Sequence, residues 1–183
     1  MNIIVCVDQV YGIGKHGTIP WKWKADMVHF RAITMGNIVV MGRKTWESMG
    51  SQPLKGRHNI ILSKFCCRDQ DMSIKIYEVD DGVKISTSWE FCRSLDELDS
   101  RVHELIHEYR KKVFIIGGCS VYDHFLSRGP EKVYLSQISG QYGCDTFFPM
   151  SKLTSLCPVL EGEVDVKSEG TISVFKLNGK IQK

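Results

Sequence analysis

Four short apolar runs constrain this chain most. NIIVCV at residues 2–7, NIVVM at 37–41, HNIILS at 58–63 and KVFIIGG at 112–118 are continuous instead of alternating with polar residues. A strand wetted on one face alternates with period two, whereas a strand apolar at successive positions is covered on both faces. Helical segments separate the runs, at KADMVHFRAITM (24–35) and SLDELDSRVHELIHEYRKK (94–112). Ser94 with Glu97 three residues on forms a capping box at the start of the second. Short helices are expected after Arg43 and after the Gly117-Gly118 turn, and late strands at KVYLSQI (132–138) and TISVFKL (171–177). This order predicts an α/β fold with a mainly parallel central sheet, in a single domain over 1–183. Phe65 to Phe91 reads least clearly: one or two strands, with a turn at Asp80-Asp81-Gly82.

The chain has 183 residues, enough to bury a core without staples. Its net charge of +3 is too small to imply a nucleic-acid partner, though it leaves room for a local cationic site for an anion. The seven cysteines are odd in number, form no C-x-x-C pair (Cys66 and Cys67 are adjacent) and do not group with the six histidines. They read as reduced thiols, and no metal site is expected. MNIIVCVDQV lacks a cationic leader, Asp8 interrupts its apolar run, and no segment approaches the roughly 20 apolar residues a membrane span needs. A soluble, cytoplasmic protein without a membrane partner is expected.

VYGIGKHGTIPW at 10–21 places Gly12, Gly14 and Gly17 in a G-x-G-x-x-G pattern. A dinucleotide fingerprint needs its first glycine at the strand end and a helix opening at the third. Here Asp8 to Tyr11 intervene first, and Pro20 biases Ile19 away from helix. The glycines read as a flexible loop between strand and helix.

The stretch GIGKHGTIPWKWKADMVHF, with Asp26 five positions after Trp21, is similar to the start of the dihydrofolate reductases. VVMGRKTWESMG (39–50), PLKGRHNIILSK (53–64), VFIIGGCSVY (113–122) and VYLSQISGQYGCDTFFP (133–149) resemble that family's later blocks, in order. The resemblance implies about eight strands with an antiparallel C-terminal strand. It implies NADPH-dependent reduction of 7,8-dihydrofolate to tetrahydrofolate in one-carbon and thymidylate metabolism, by a monomer that binds antifolates and requires no nucleic acid.

What each block implies follows from its chemistry. Asp26 alone reads equally as an acid at a helix start. By resemblance it anchors the pterin as the sole ionisable group there, accepting hydrogen bonds from a ring nitrogen and the 2-amino group. Trp21 then holds a water network and Ser136 bonds near the carboxylate. Met27, Phe30, Met49 and Leu54 line the pocket, with Ile4, Val5, Ile116 and Tyr122 around the pterin; the Ile4 and Ile116 carbonyls face an inhibitor's amino group. Arg57 pairs with the glutamate α-carboxylate, a task suited to a planar guanidinium.

For the cofactor, Gly42, Arg43, Lys44 and Thr45 lie where a helix starts after a strand. Leu62, Ser63 and Lys64 close the next strand. Arg43, Lys44 and Lys64 together favour an adenosine 2′-phosphate, hence NADPH. Gly117 and Gly118 allow close approach of a pyrophosphate, followed by Cys119, Ser120 and Val121. Cys6, Ile13, Gly14, Gly17 and Thr18 complete the implied cofactor contacts. Cys119 departs from the usual glycine or serine, and Trp23 in the unusual KWK either caps the pocket or packs on the helix start. Two rivals stand beside this reading. One is a reductase of the same fold acting on a riboflavin-pathway pyrimidine; the other is a non-catalytic nucleotide- or RNA-binding module.

Overall fold

The continuous apolar runs become inner strands. In the computed structural model, which describes residues 1–65, 74–80, 83–109, 111–166 and 169–177, they are β1 (Asn2–Val7), β3 (Ile38–Gly42), β4 (His58–Leu62) and β7 (Val113–Gly117). Ile3, Val7, Val39, Val40, Met41, Ile60, Ile61, Val113 and Ile115 are fully buried, as strands covered on both faces must be. Contacts divide the chain into one unit of residues 1–32 and 115–183 and another of 33–114.

In the first unit, β1 pairs in parallel with β8 (Lys132–Ile138), with Cys6 beside Ser136 in register. β11 (Gly170–Lys176) runs antiparallel to β8, and β10 (Val159–Val166) antiparallel to β11. α1 (Lys24–Thr34), α4 (Cys119–Leu126) and α5 (Met150–Ser155) complete it, with a separate ribbon of β2 (Gly12–Gly14) and β9 (Thr146–Phe147). The last residues of α1 belong to the second unit. Within the loop expected between strand and helix, β2 forms a short pairing that the sequence did not indicate: Gly12 pairs with Phe147 and Gly14 with Thr146. Gly12 is required there because a Cβ would lie 2.4 Å from Cys144 Cβ.

In the second unit, β3, β4 and β6 (Val83–Cys92) are parallel neighbours, and β5 (Ile74–Asp80) closes a hairpin on β6. One or two strands were expected between Phe65 and Phe91, and there are two; Asp81 and Gly82 of the expected turn, like Cys66 and Cys67, lie outside the described residues. α2 (Arg43–Ser48) follows β3 directly. α3 (Leu95–Tyr109) buries Leu98, Val102 and Leu105 at helical spacing. Its capping box forms with a variation: Ser94 Oγ accepts the Glu97 N–H at 3.1 Å, and the Glu97 carboxylate takes the Arg93 N–H at 2.6 Å. The fold is α/β, mainly parallel with an antiparallel C-terminal strand, as expected; β10 and α5 are elements the sequence reading did not contain.

Candidate functional site

The first unit gathers side chains around Asp26. α1 starts after Pro20 and carries Asp26 in its first turn, half-buried. The in-register neighbours Cys6 and Ser136, on adjacent parallel strands, both stand beside the Asp26 carboxylate. Trp21 lies beside Cys6, both packed against the Trp23 cluster. Burial raises the Asp26 carboxyl above the usual range; hydrogen bonds from Ser136 and Cys6 and the neighbouring His29 partly oppose this. Burial also raises the Cys6 thiol strongly, and the Asp26 charge adds to that. Asp26 is thus not the sole ionisable group in its surroundings, as the resemblance implied: His29 and Cys6 accompany it. Cys6, expected among the cofactor contacts, places its thiol with Trp21 and Asp26.

Below this group, the buried Tyr122 hydroxyl on α4 donates to the Ile4 carbonyl at 2.9 Å. Val5 is buried, Ile116 and Phe30 are half-buried, and Met27 is 65% exposed. Trp23 turns out to be a core residue: it packs with Ile138 and Ile172 and donates its indole N–H to Glu169 at 2.8 Å. The Gly117-Gly118 peptide is cis, Gly117 has φ +128°, and α4 begins at Cys119 without a side-chain cap. The first-turn residues Cys119 and Val121 are half-buried and buried, and Ser120 is exposed.

Asp8 was missed as a site residue by the sequence reading, which used it only to interrupt an apolar run. It is buried, and its carboxylate accepts the N–H groups of Val10 (3.0 Å), Gly12 (2.8 Å) and Tyr142 (3.1 Å). Asp145 adds a second tie, accepting the His16 N–H at 2.7 Å and donating its own to the Gly14 carbonyl at 3.0 Å. The segment is therefore joined to residues 142–147 from Asp8 to His16. Gly17 and Thr18 stay exposed at its tip.

The second unit holds the other expected residues. Arg57 is 5% exposed; its Nε and Nη2 donate to Thr34 Oγ1 at 3.2 and 3.1 Å, and Nη1 to the Lys55 carbonyl at 2.8 Å. Buried Asn59, also missed, fixes the preceding turn. Its Oδ1 accepts the Leu54 N–H at 2.9 Å, while Nδ2 donates to the carbonyls of Leu54, Arg57 and Ser88. Gly56 allows that turn, with φ +72° and the Met35 sulfur only 2.5 Å from where a Cβ would be. Met49 and Leu54 are half-buried.

At the other ends of β3 and β4, Gly42 leads into α2 without a side-chain cap. Arg43 and Lys44 are exposed and Thr45 half-buried; Arg43 is ion-paired with Glu47 at 2.6 Å. Leu62 is half-buried, Ser63 buried and Lys64 exposed. The α2 start and the end of β4 lie on adjacent strands in register, Gly42 beside Leu62.

The comparisons with known proteins decide what this arrangement belongs to. A family model described as dihydrofolate reductase matches residues 1–169. The chain belongs to the dihydrofolate reductase family. It is 33% identical over 159 residues to "Dihydrofolate reductase" of Schistosoma mansoni, covering 81% of this chain and 77% of that protein. It is 36% identical over 137 residues to "Dihydrofolate reductase type 3" of Salmonella typhimurium, covering 75% of this chain and 70% of that one. Against "Bifunctional dihydrofolate reductase-thymidylate synthase" of Glycine max it is 35% identical, but spans only 29% of that protein. A solved dihydrofolate reductase from Enterococcus faecalis, complexed with NADP(H) and RAB-propyl, superposes with TM-score 0.72 at 25% identity, over 97% of this chain and 95% of that one. The family's reaction, NADPH-dependent reduction of dihydrofolate, is that of this chain. Among the described residues no helix is long and apolar enough to cross a membrane.

Proposed function

We propose that dihydrofolate binds with its pterin on the Asp26 carboxylate, that C6 of the pterin receives the hydride, and that water delivers the proton to N5. The observation that carries this is the paired support of one half-buried carboxylate by Ser136 and Cys6 from adjacent strands. Such support holds the carboxylate where a pterin ring N–H and its 2-amino group can donate two hydrogen bonds. Trp21, held against Cys6, sits beside that carboxylate as one wall for the water. Arg57, pre-oriented by Thr34 and Lys55, is suited to the substrate's α-carboxylate.

The chain's groups fit NADPH. Gly117 and Gly118 carry no side chain to block a pyrophosphate, and the α2 and α4 starts have no side-chain cap. Arg43, Lys44 and Lys64 supply positive charge for a 2′-phosphate. Bound there, NADPH supplies the hydride. The protein's part is to orient the substrate, favour its protonated form through the Asp26 charge, and limit water around it.

The test is NADPH consumption with dihydrofolate as sole acceptor, followed by single-turnover hydride transfer against pH for Asp26→Asn. The variant should lose activity by orders of magnitude at neutral pH and recover part of it as pH falls, because solution protonation of the substrate replaces the lost charge. Wild-type rates across the whole pH range would refute the role of Asp26.

A further inference from the structure

A histidine beside the carboxylate carries an inference that rests on the reading above. His29 follows Asp26 by three positions on α1, so the two side chains are neighbours on one helix face, about 5–6 Å apart at Cβ. The His29 ring packs against Tyr134 of β8, with centroids 6.3 Å apart. Its Nε2 atom is buried and has no hydrogen-bond partner among the described residues. A buried imidazole nitrogen without a partner is costly, and in native proteins such groups mark function or a held water. His29 also lines an open cavity of about 610 Å³ with Lys24, Ala25, Val28 and Glu169.

We propose that His29 is a positioning residue for the Asp26 charge, sharing a proton equilibrium with that carboxylate and linking it to the cavity beside α1. Among the described residues, the charged and titratable groups around His29 are Asp26 and Lys24 from α1, Tyr134 from β8 and Glu169 ahead of β11. Burial lowers the imidazole and raises the carboxyl, and the opposite charge of each works against both shifts. A cationic His29 therefore keeps Asp26 ionised to lower pH, and an ionised Asp26 keeps His29 charged to higher pH.

The experiment follows the Asp26 carboxyl and the His29 ring by NMR against pH in the free chain, for wild type, His29→Phe, His29→Gln and Asp26→Asn. In both His29 variants the Asp26 carboxyl should titrate at higher pH than in wild type. In Asp26→Asn the His29 ring should titrate at lower pH, which gives the reciprocal reading even if a His29 variant misfolds. An Asp26 titration unmoved in the His29 variants, or a His29 titration unmoved in Asp26→Asn, overturns the proposal. Because the measurement needs no substrate, it fails separately from the catalytic reading, which fails if wild type does not consume NADPH with dihydrofolate.

A second pair stands on geometry alone. His103 and His107, one turn apart on α3 and both exposed, face each other with their Nε2 atoms 3.2 Å apart. Two imidazole nitrogens each about 2.0–2.1 Å from one ion, at angles between square-planar and tetrahedral, are about 2.9–3.4 Å apart. We infer that this pair chelates one divalent transition-metal ion of the zinc or nickel type. Calorimetric titration with Ni²⁺ alone should give one site per chain, weakened about 100-fold in His103→Ala and equally in His107→Ala, because a chelate loses its effective concentration with either arm. His124→Ala should bind as wild type. No saturable binding, or binding that survives His103→Ala, overturns the assignment.

Discussion

Replacing Asp8 by Asn tests how much one buried carboxylate contributes to holding the glycine segment. Its Oδ1 accepts the Val10 and Gly12 N–H groups, and its Oδ2 the Tyr142 N–H. An Asn keeps one oxygen, which can remain on Val10 and Gly12, but turns an NH₂ toward the Tyr142 N–H. Two charge-assisted bonds become neutral ones, at about 1 kcal/mol each, and a third is lost with a donor left unpaired, at about 1–3 kcal/mol. The sum is roughly 3–5 kcal/mol, a large part of the ~5–15 kcal/mol by which domains are stable. Burial raises the Asp8 carboxyl, but hydrogen bonds from Tyr142, Gly12, Val10 and Cys144 outweigh it and leave the folded value below the usual one. A depressed folded value gives stability that is present above the unfolded value, about 3.9, and lost as pH falls through the folded one. Urea unfolding of both proteins from pH 7 down to pH 3 is the assay. The difference should be full at neutral pH and shrink below pH 4. A difference under 1 kcal/mol at pH 7, or one that does not change with pH, would refute the reasoning.

Further outcomes follow from other contacts. Gly12→Ala should destabilise by about 1–3 kcal/mol through collision with Cys144, and Cys144→Gly in the same chain should restore most of the loss in urea midpoints. Burial raises Glu90, but His58 at 2.7 Å and Arg101 at 2.9 Å together bring it below the usual range. Glu90→Gln should therefore cost about 1–3 kcal/mol at neutral pH, and the gap to wild type should close as acidification protonates Glu90. The Cys92 thiol, 2% exposed, is pushed up to about 12 by burial and by the charges of Glu97 and Glu90. Brief iodoacetamide treatment at neutral pH should leave Cys92 unmodified while labelling exposed Cys157, as read by peptide mass spectrometry.

What the sequence made legible was local. Strands buried on both faces announce themselves, since Ile, Val and Met at consecutive positions have no other stable place. The α3 start was legible from two residues, Ser94 and Glu97. The β2–β9 ribbon was not, because Gly12 and Gly14 find their partners more than 130 residues later. β10 escaped because Glu161, Glu163 and Asp165 dilute its apolar content, and it is mostly exposed. Among the candidate residues, family blocks pointed to Asp26, Ser136 and Arg57, whereas Asp8, Asn59 and His29 carry no pattern of their own. Their roles depend on backbone groups and neighbours brought by other elements. Trp23 shows the same limit: its choice between pocket and core rested on Ile138, Ile172 and Glu169.

The pairing of β1 with β8 also sets a timetable for synthesis. Asn2 lies opposite Lys132, so 130 residues must be made before the partner strand exists. At about 5–20 residues per second this is roughly 6–26 s. Over that interval β3, β4 and β6 can meet, since all three lie within residues 38–92. The Ile3-Ile4-Val5 run cannot yet make its pairing with β8. A newly made chain therefore carries its first apolar strand without that partner for the whole of this interval.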